Sequence, residues 1–176
     1  MTISVRKLLL DDERDQFNSG DPDLDRFFKR FAGQNQFKHY VGTTYVAVEN
    51  NRIVGFATVS AAQVEVQNLP ASKQTRLPRY PLPVLRLARL AVDKSAQGKG
   101  VGLTLLKAVF ILARAMASDF GCIGVIVDAK PNAVTFYERY GFAALELVTG
   151  ELGDRPAPVA MFLEIGAIPK ATEQST

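Results

Sequence analysis

The chain has one cysteine, one histidine and no tryptophan among its 176 residues. A single thiol, Cys122, cannot close an intramolecular disulfide and cannot build a cysteine-ligated zinc site. With His39 the only imidazole, most histidine-based metal sites are excluded as well. Long hydrophobic runs are scarce too. The longest, residues 101–116, is interrupted by Lys107 and Arg114 and falls short of the ~20 residues that span a bilayer. The first ten residues are partly apolar but give way at once to Asp11, Asp12 and Glu13, with no small-residue cleavage signal, so no secretory leader is read. There is no internal repeat. These absences predict a reduced-compartment, cytoplasmic protein with no metal and no membrane partner.

What is present is the composition of one globular domain. Hydrophobic residues make up 47% and charged residues 22%, and 21 Lys and Arg against 18 Asp and Glu leave a net charge of +3. Domains commonly run ~100–200 residues, so one domain over residues 1–169 is expected, followed by an unstructured tail over 170–176.

The patterning is mixed α/β. Asp21-Pro22 is a helix start, because an Asp side chain accepts from an orphan N–H and Pro loses nothing in the first turn. Leu24, Phe27, Phe28 and Phe31 then share one face, and the helix is expected to fade near Ala32-Gly33. Lys29 and Arg30 face water. Residues 43–49 and 53–60 read as strands joined by a tight Asn50-Asn51 turn. Next come Pro70, Pro78, Pro81 and Pro83, which argue for a long shaped loop rather than a central strand. A strand over 84–92 runs into a glycine turn, and Leu105, Leu106, Val109, Leu112, Ala113 and Met116 follow at helical spacing. A buried strand (123–127), a short helix (132–140) and strands at 142–147 and 159–165, the last closing the sheet, complete the order.

The turn Gln97-Gly98-Lys99-Gly100-Val101-Gly102 carries the clearest chemistry. Glycines at alternate positions permit tight turning and close approach to a ligand. Backbone N–H groups at the positive end of a helix dipole make an anion site, and Lys99 adds a cation. Two familiar phosphate loops fail on spacing. A Walker A loop needs Ser or Thr after the lysine, whereas Gly100 stands there, and the dinucleotide fingerprint needs G-x-G-x-x-G with a downstream acid. A glycine turn without a ligand is the plain alternative.

The turn does not stand alone. Gln97-x-x-Gly100-x-Gly102 after a strand, with Asn132 and Phe136-Tyr137-x-x-x-Gly141-Phe142 downstream, resembles the two hallmarks of the GCN5-related N-acetyltransferase (GNAT) superfamily. Arg86-Leu87-Ala88-Arg89-Leu90-Ala91-Val92-Asp93, Asp128-Ala129-Lys130 and Phe17-Asn18-Ser19-Gly20 with Leu24-Asp25-x-Phe27 narrow the resemblance. They look like the acetyltransferase toxins of type II toxin–antitoxin systems, of the TacT and AtaT kind. The resemblance implies a mixed, mostly antiparallel sheet flanked by helices, with splayed central parallel strands. It implies acetyl-coenzyme A, held by Leu90, Ala91, Val92, Gln97, Gly98, Lys99, Gly100, Val101, Gly102, Asn132 and Phe136. It implies transfer of an acetyl group to the α-amine of aminoacyl-tRNA, a ribbon-helix-helix antitoxin and a homodimer.

Within that frame Tyr137 is the candidate general acid, since a phenol with a pKa near 10 is protonated at neutral pH and can serve a departing thiolate. The other reading of Tyr137 is an aromatic core residue. No strong general base stands out, and Glu49 or Glu65 acting through water are the candidates. An α-amine titrating near 7.7–8.0 lessens the need for one. Between residues 72 and 99, seven cations face one carboxylate, a local charge of +6. Lys73, Arg76, Arg79, Arg86 and Arg89 are therefore candidate RNA contacts, with coenzyme phosphates or plain solvation as the alternatives. His39 reads as a surface residue and Cys122 as core, which argues against a covalent acetyl-enzyme. Two other functions stay open: an acetyltransferase for small amines or protein N-termini, and a non-catalytic acyl-coenzyme A-binding module.

Overall fold

The structure is a computed structural model that describes residues 2–145 and 158–168. Among the described residues, seven strands are hydrogen-bonded side by side in the order β1-β2-β3-β4-β5-β7-β6. They are β1 (Ser4–Lys7), β2 (Thr43–Glu49), β3 (Arg52–Val64), β4 (Leu82–Val92), β5 (Gly124–Ala129), β6 (Ala143–Ala144) and β7 (Val159–Glu164). The β1/β2, β2/β3, β5/β7 and β6/β7 pairs are antiparallel. The chain passes from β4 to its neighbour β5 through the helix α4 (Val101–Asp119), the crossover that parallel neighbours require. The sheet is therefore mixed and mostly antiparallel, as the resemblance implies.

The chain forms two compact units, Met1–Ser60 with Leu87–Ile111, and Ala61–Arg86 with Leu112–Thr176. In the first, Asp21 caps α1 (Pro22–Arg26) by accepting from the N–H groups of Asp23 and Leu24. The helical path does not fade at Gly33. It continues through a wide turn over Phe27–Phe31, α2 (Ala32–Gln34) and a second wide turn over Asn35–His39. Two side chains sustain this extension. Phe37 packs against the core cluster, and the Gln36 amide donates to the Leu8 carbonyl and accepts from the Thr44 N–H.

That cluster is built from phenylalanine. Phe28 stacks on Phe56 at 4.4 Å, and Phe17 meets both rings edge-on at 4.9 and 5.5 Å. Each such buried ring contributes about 1.5–3 kcal/mol by area. Asn50 and Asn51 both take positive φ (52° and 62°), the tight hairpin turn expected from their sequence. Across the hairpin the hydroxyls of Thr44 and Thr58, opposite each other in register, meet at 2.7 Å inside the core. A side chain at Gly55 would press on Val101, Leu105 and the Ala91 carbonyl at 2.9–3.1 Å, so glycine is what lets α4 lie close to β3.

In the second unit Val64, Val66, Leu69, Leu82, Val84, Leu145, Ala160 and Phe162 form the core. The proline-rich stretch is more ordered than a loop: β3 runs on to Val64, a single 3-10 turn covers Val66–Asn68, and α3 (Ala71–Gln74) follows Pro70. Pro83 lies inside β4, a central strand, against expectation. It is the second residue of the strand, where a missing N–H is tolerated, and its carbonyl accepts from Ile123. α5 (Val134–Arg139) follows a 3-10 turn at Pro131–Ala133. β7 does not close the sheet but lies between β5 and β6. Residues 146–147 of the expected strand and the tail at 170–176 lie outside the described residues.

α4 has 19 residues and is apolar enough by length and composition to cross a membrane, longer than its sequence pattern suggested. Val101, Leu105, Leu106, Val109, Phe110 and Ala113 are each at most 2% exposed, so its apolar face is core.

Candidate active site

The glycine turn is prepared by Asp93, which caps the short turn Lys94–Ala96 leading into it. Asp93 is 3% exposed, and its carboxylate gathers four donors: the Asn18 N–H at 3.0 Å, the Ser95 N–H at 3.0 Å, the Ser95 hydroxyl at 2.7 Å and the Arg52 guanidinium at 3.2 Å. Burial pushes this carboxyl up, but the Asn18 and Ser95 hydrogen bonds and the Arg52 charge outweigh it and hold it below its ordinary value. The Lys94 N–H donates back to the Asn18 carbonyl at 2.8 Å. Gln97, one of the expected coenzyme residues, spends its side-chain amide on the Ser19 and Val92 carbonyls at 2.9 and 3.0 Å. The end of β4, the turn and the segment around Asn18-Ser19 are thereby tied together.

Gly98 and Gly100 have φ of +78° and +83°, a backbone that L side chains rarely adopt. Nothing lies within 4 Å of a Cβ built at either position. Glycine is therefore demanded here by conformation, not by crowding from the protein itself. Gln97, Gly98, Lys99 and Gly100 are all exposed. Gly100 opens α4: its carbonyl accepts from both the N–H and the hydroxyl of Thr104, and Val101 and Gly102 form the first turn. Open backbone at the N-terminus of a 19-residue helix, with Lys99 beside it, has the geometry and the charge to attract an anion. On β4, Ala91 is buried while Leu90 and Val92 are half-buried.

In the second unit Tyr137 lies on α5 and is 5% exposed. Its ring meets Phe136 at 5.1 Å and Phe142 at 5.3 Å, both edge-on, and Phe136 meets Tyr140 at 5.2 Å. Burial pushes the Tyr137 phenol well above its ordinary value, so it carries its proton at every physiological pH. Asn132 is exposed in the turn before α5. Cys122 is buried and its thiol donates to the Gly124 carbonyl, and burial pushes its pKa up, which suits a core residue and not a nucleophile.

Residues 10–155 match the family described as Acetyltransferase (GNAT) domain. The chain belongs to this acetyltransferase family. It is 31% identical over 134 residues to a tRNA-acetylating toxin of Mycobacterium tuberculosis, a match covering 74% of this chain and 78% of that one. Among solved structures, AtaT complexed with acetyl-methionyl-tRNAfMet superposes with a TM-score of 0.81 at 25% identity, over 94% of this chain and 96% of that one. AtaTR bound with AcCoA gives a TM-score of 0.74 at 26% identity, over 97% and 96%. The protein is an N-acetyltransferase whose acyl donor is acetyl-coenzyme A.

The five basic residues expected on the acetyltransferase's RNA surface differ in their surroundings. Lys73 pairs with Glu164, and Arg86 on β4 pairs with Asp128 on β5 at 2.6 Å. Arg89 places its guanidinium 3.8 Å from the centroid of Phe27. Arg76 and Arg79 are exposed in the segment leading to β4. Lys73 and Arg76 also line a cavity of about 510 Å³ with Leu69, Leu77, Cys122 and Phe162. Of the water-mediated base candidates, Glu65 is exposed and Glu49 half-buried at the end of β2.

In the sequence Asp93 stands out only as the end of the Arg86–Asp93 motif and as the single negative charge in a basic stretch, with no role of its own. Nothing in its spacing reveals that it is buried. The only signal was its position one residue after β4, where a 3-10 turn needs a capping acceptor.

Proposed function

We propose that this acetyltransferase is the toxin of a type II toxin–antitoxin system, acetylating the α-amine of aminoacyl-tRNA and so blocking translation. The observation that carries this reading is the 31% identity, over three-quarters of the chain, to a tRNA-acetylating toxin. The structural likeness to AtaT complexed with acetyl-methionyl-tRNAfMet supports it. The acetyltransferase domain runs over residues 1–169. Its partners are a ribbon-helix-helix antitoxin and a second copy of the chain, and it works in the cytoplasm.

Bound acetyl-coenzyme A supplies the activated acetyl thioester. The N–H groups of the turn over Gly98, Lys99, Gly100, Val101 and Gly102, of which the first three residues are exposed, would hold the pyrophosphate with Lys99, and Gln97 keeps the turn in shape. Leu90, Ala91 and Val92 on β4 would hold the pantetheine arm, and a backbone N–H at Leu90 or Ala91 would stabilise negative charge on the thioester oxygen. Asn132 and Phe136 would help hold the coenzyme, and Tyr137 would supply the proton that the leaving thiolate needs. Because the phenol is held well above a thiol's ~8.5, its benefit comes from placement and not from acid strength. Lys73, Arg76, Arg79, Arg86 and Arg89 contact RNA phosphates, which position the substrate without choosing its amino acid.

The test is transfer from labelled acetyl-coenzyme A to purified aminoacyl-tRNA. Label that appears in the RNA fraction, and is lost when the aminoacyl ester is hydrolysed, supports the reading. Label confined to small amines or protein N-termini refutes it.

A further inference from the structure

The N-terminal helical path carries two triplets of one kind, Lys29-Arg30-Phe31 and Lys38-His39-Tyr40. All six residues are exposed, Phe31 at 42% and Tyr40 at 84%. Phe27, Phe28, Ala32 and Phe37 between and beside them pack into the core, so one side of the path is anchored and the other is open. No acidic residue occurs between Asp25 and Glu49. Among the described ion pairs none involves Lys29, Arg30 or Lys38, while the preceding Arg26 is matched by Asp23.

The backbone marks the same places. Each triplet ends a wide turn in which an N–H reaches five residues back, Ala32 to Phe27 and Tyr40 to Asn35. Turns of this kind are rare and recur at functional sites. Tyr40 itself takes the left-handed conformation, φ 55° and ψ 36°. A bulky aromatic there is strained, and such strain persists where the surroundings hold it for a purpose. Tyr40 is left in solvent, two residues after Lys38. The basic character also continues off the helix, because the exposed Arg89 lies over Phe27 at the start of the first wide turn.

Two exposed rings, each close in sequence to unopposed basic residues, are the chemistry that holds single-stranded nucleic acid: bases stack on the rings while phosphates meet the charges. We infer that this face is a docking surface for the single-stranded 3′ end of the acceptor RNA, with Phe31 and Tyr40 as stacking platforms and Lys29, Arg30 and Lys38 as phosphate contacts. This deepens the aminoacyl-tRNA reading and rests on it. A face built for a protein partner would have fewer unopposed lysines around its rings.

The test uses the full chain and two probes, intact tRNA and a short single-stranded RNA ending in CCA, with affinity read by fluorescence anisotropy. Phe31→Ala and Tyr40→Ala should each weaken oligonucleotide binding about tenfold. Combined Lys29→Ala, Arg30→Ala and Lys38→Ala should reduce the log–log salt slope by about 2, at ~0.7 per single-strand phosphate contact. Tyr40→Gly separates binding from folding. It removes the ring and relieves the strained backbone, so it should raise the melting temperature while lowering RNA affinity. Unchanged affinity in these variants overturns the inference. So does a change in oligomeric state by sedimentation with RNA binding intact, which would make the face a contact between copies. Because the oligonucleotide carries no aminoacyl group, its binding reports this surface whether or not the wild-type protein acetylates aminoacyl-tRNA.

Discussion

Asp93→Asn keeps the size of a buried side chain and removes its charge. The native carboxylate accepts from Asn18 with one oxygen and from Ser95 and Arg52 with the other. An asparagine has a single acceptor oxygen, so its NH₂ must face either the Asn18 N–H or the Ser95 donors. One side of the site becomes donor against donor. Hydrogen bonds to a charged group are worth ~1.5–3 kcal/mol, and a buried donor left unmatched costs ~1–3 kcal/mol. The expected loss is about 3 kcal/mol, reduced little by solvent because the Asp93 side chain is only 4% exposed. At ~2–4 °C per kcal/mol for a chain of this size, the melting temperature should fall by about 6–12 °C. Function should change in a particular way. Asn18 and Ser19 hold Lys94 and Gln97, so a loosened turn should raise KM for acetyl-coenzyme A and leave kcat nearly intact. The pH dependence has a definite sign. A carboxyl held below its unfolded value of ~3.9 stabilises the fold above that pH, and the benefit is lost as pH falls through the lower folded value. The gap between wild type and variant should therefore be widest near neutrality and close in acid. A melting shift under about 2 °C, or a fall in kcat with KM unchanged, would refute the reasoning.

Tyr137→Phe should retain acetyl-coenzyme A binding, measured by calorimetry, and lose at least ~10²-fold in kcat, the lower end for a general acid. Since the phenol does not ionise below its ordinary pKa near 10, the wild-type kcat profile should show no alkaline fall up to pH ~9.5, and a fall centred near 8 would remove Tyr137 from that role. Gly100→Ala has room for its methyl but not the backbone for it. A strain of about 1–2 kcal/mol predicts a 5- to 30-fold weaker dissociation constant for acetyl-coenzyme A, and unchanged binding would show that the turn does not hold the pyrophosphate.

Much of the fold was readable because its signals are local. Asp21-Pro22, the Asn50-Asn51 turn and the periodic Leu105 to Met116 face each carry their meaning within a few residues. The helical extension to His39 was not readable, because it depends on Gln36 reaching the backbone of residues 8 and 44. Pro83 inside β4 was misjudged for a similar reason, since its place at the strand's start shows only in the pairing. In the site, the glycine turn and Tyr137 were legible as motifs. The buried charge of Asp93 was not, because its partners Asn18 and Arg52 lie 75 and 41 positions away.

The pairing of Arg86 with Asp128, and of Lys73 with Glu164, would alter what the proposed RNA binding by these residues involves. A phosphate arriving at either cation displaces a carboxylate, so one ionic contact is exchanged for another. Fewer counterions are then released than five basic residues suggest, and the salt dependence should be correspondingly shallow. The displaced Asp128 and Glu164 would in turn repel neighbouring phosphates. Under the proposed function these two acids would act as a filter: an RNA whose backbone matches the spacing of the cations would be admitted, and one that is merely negative would gain little.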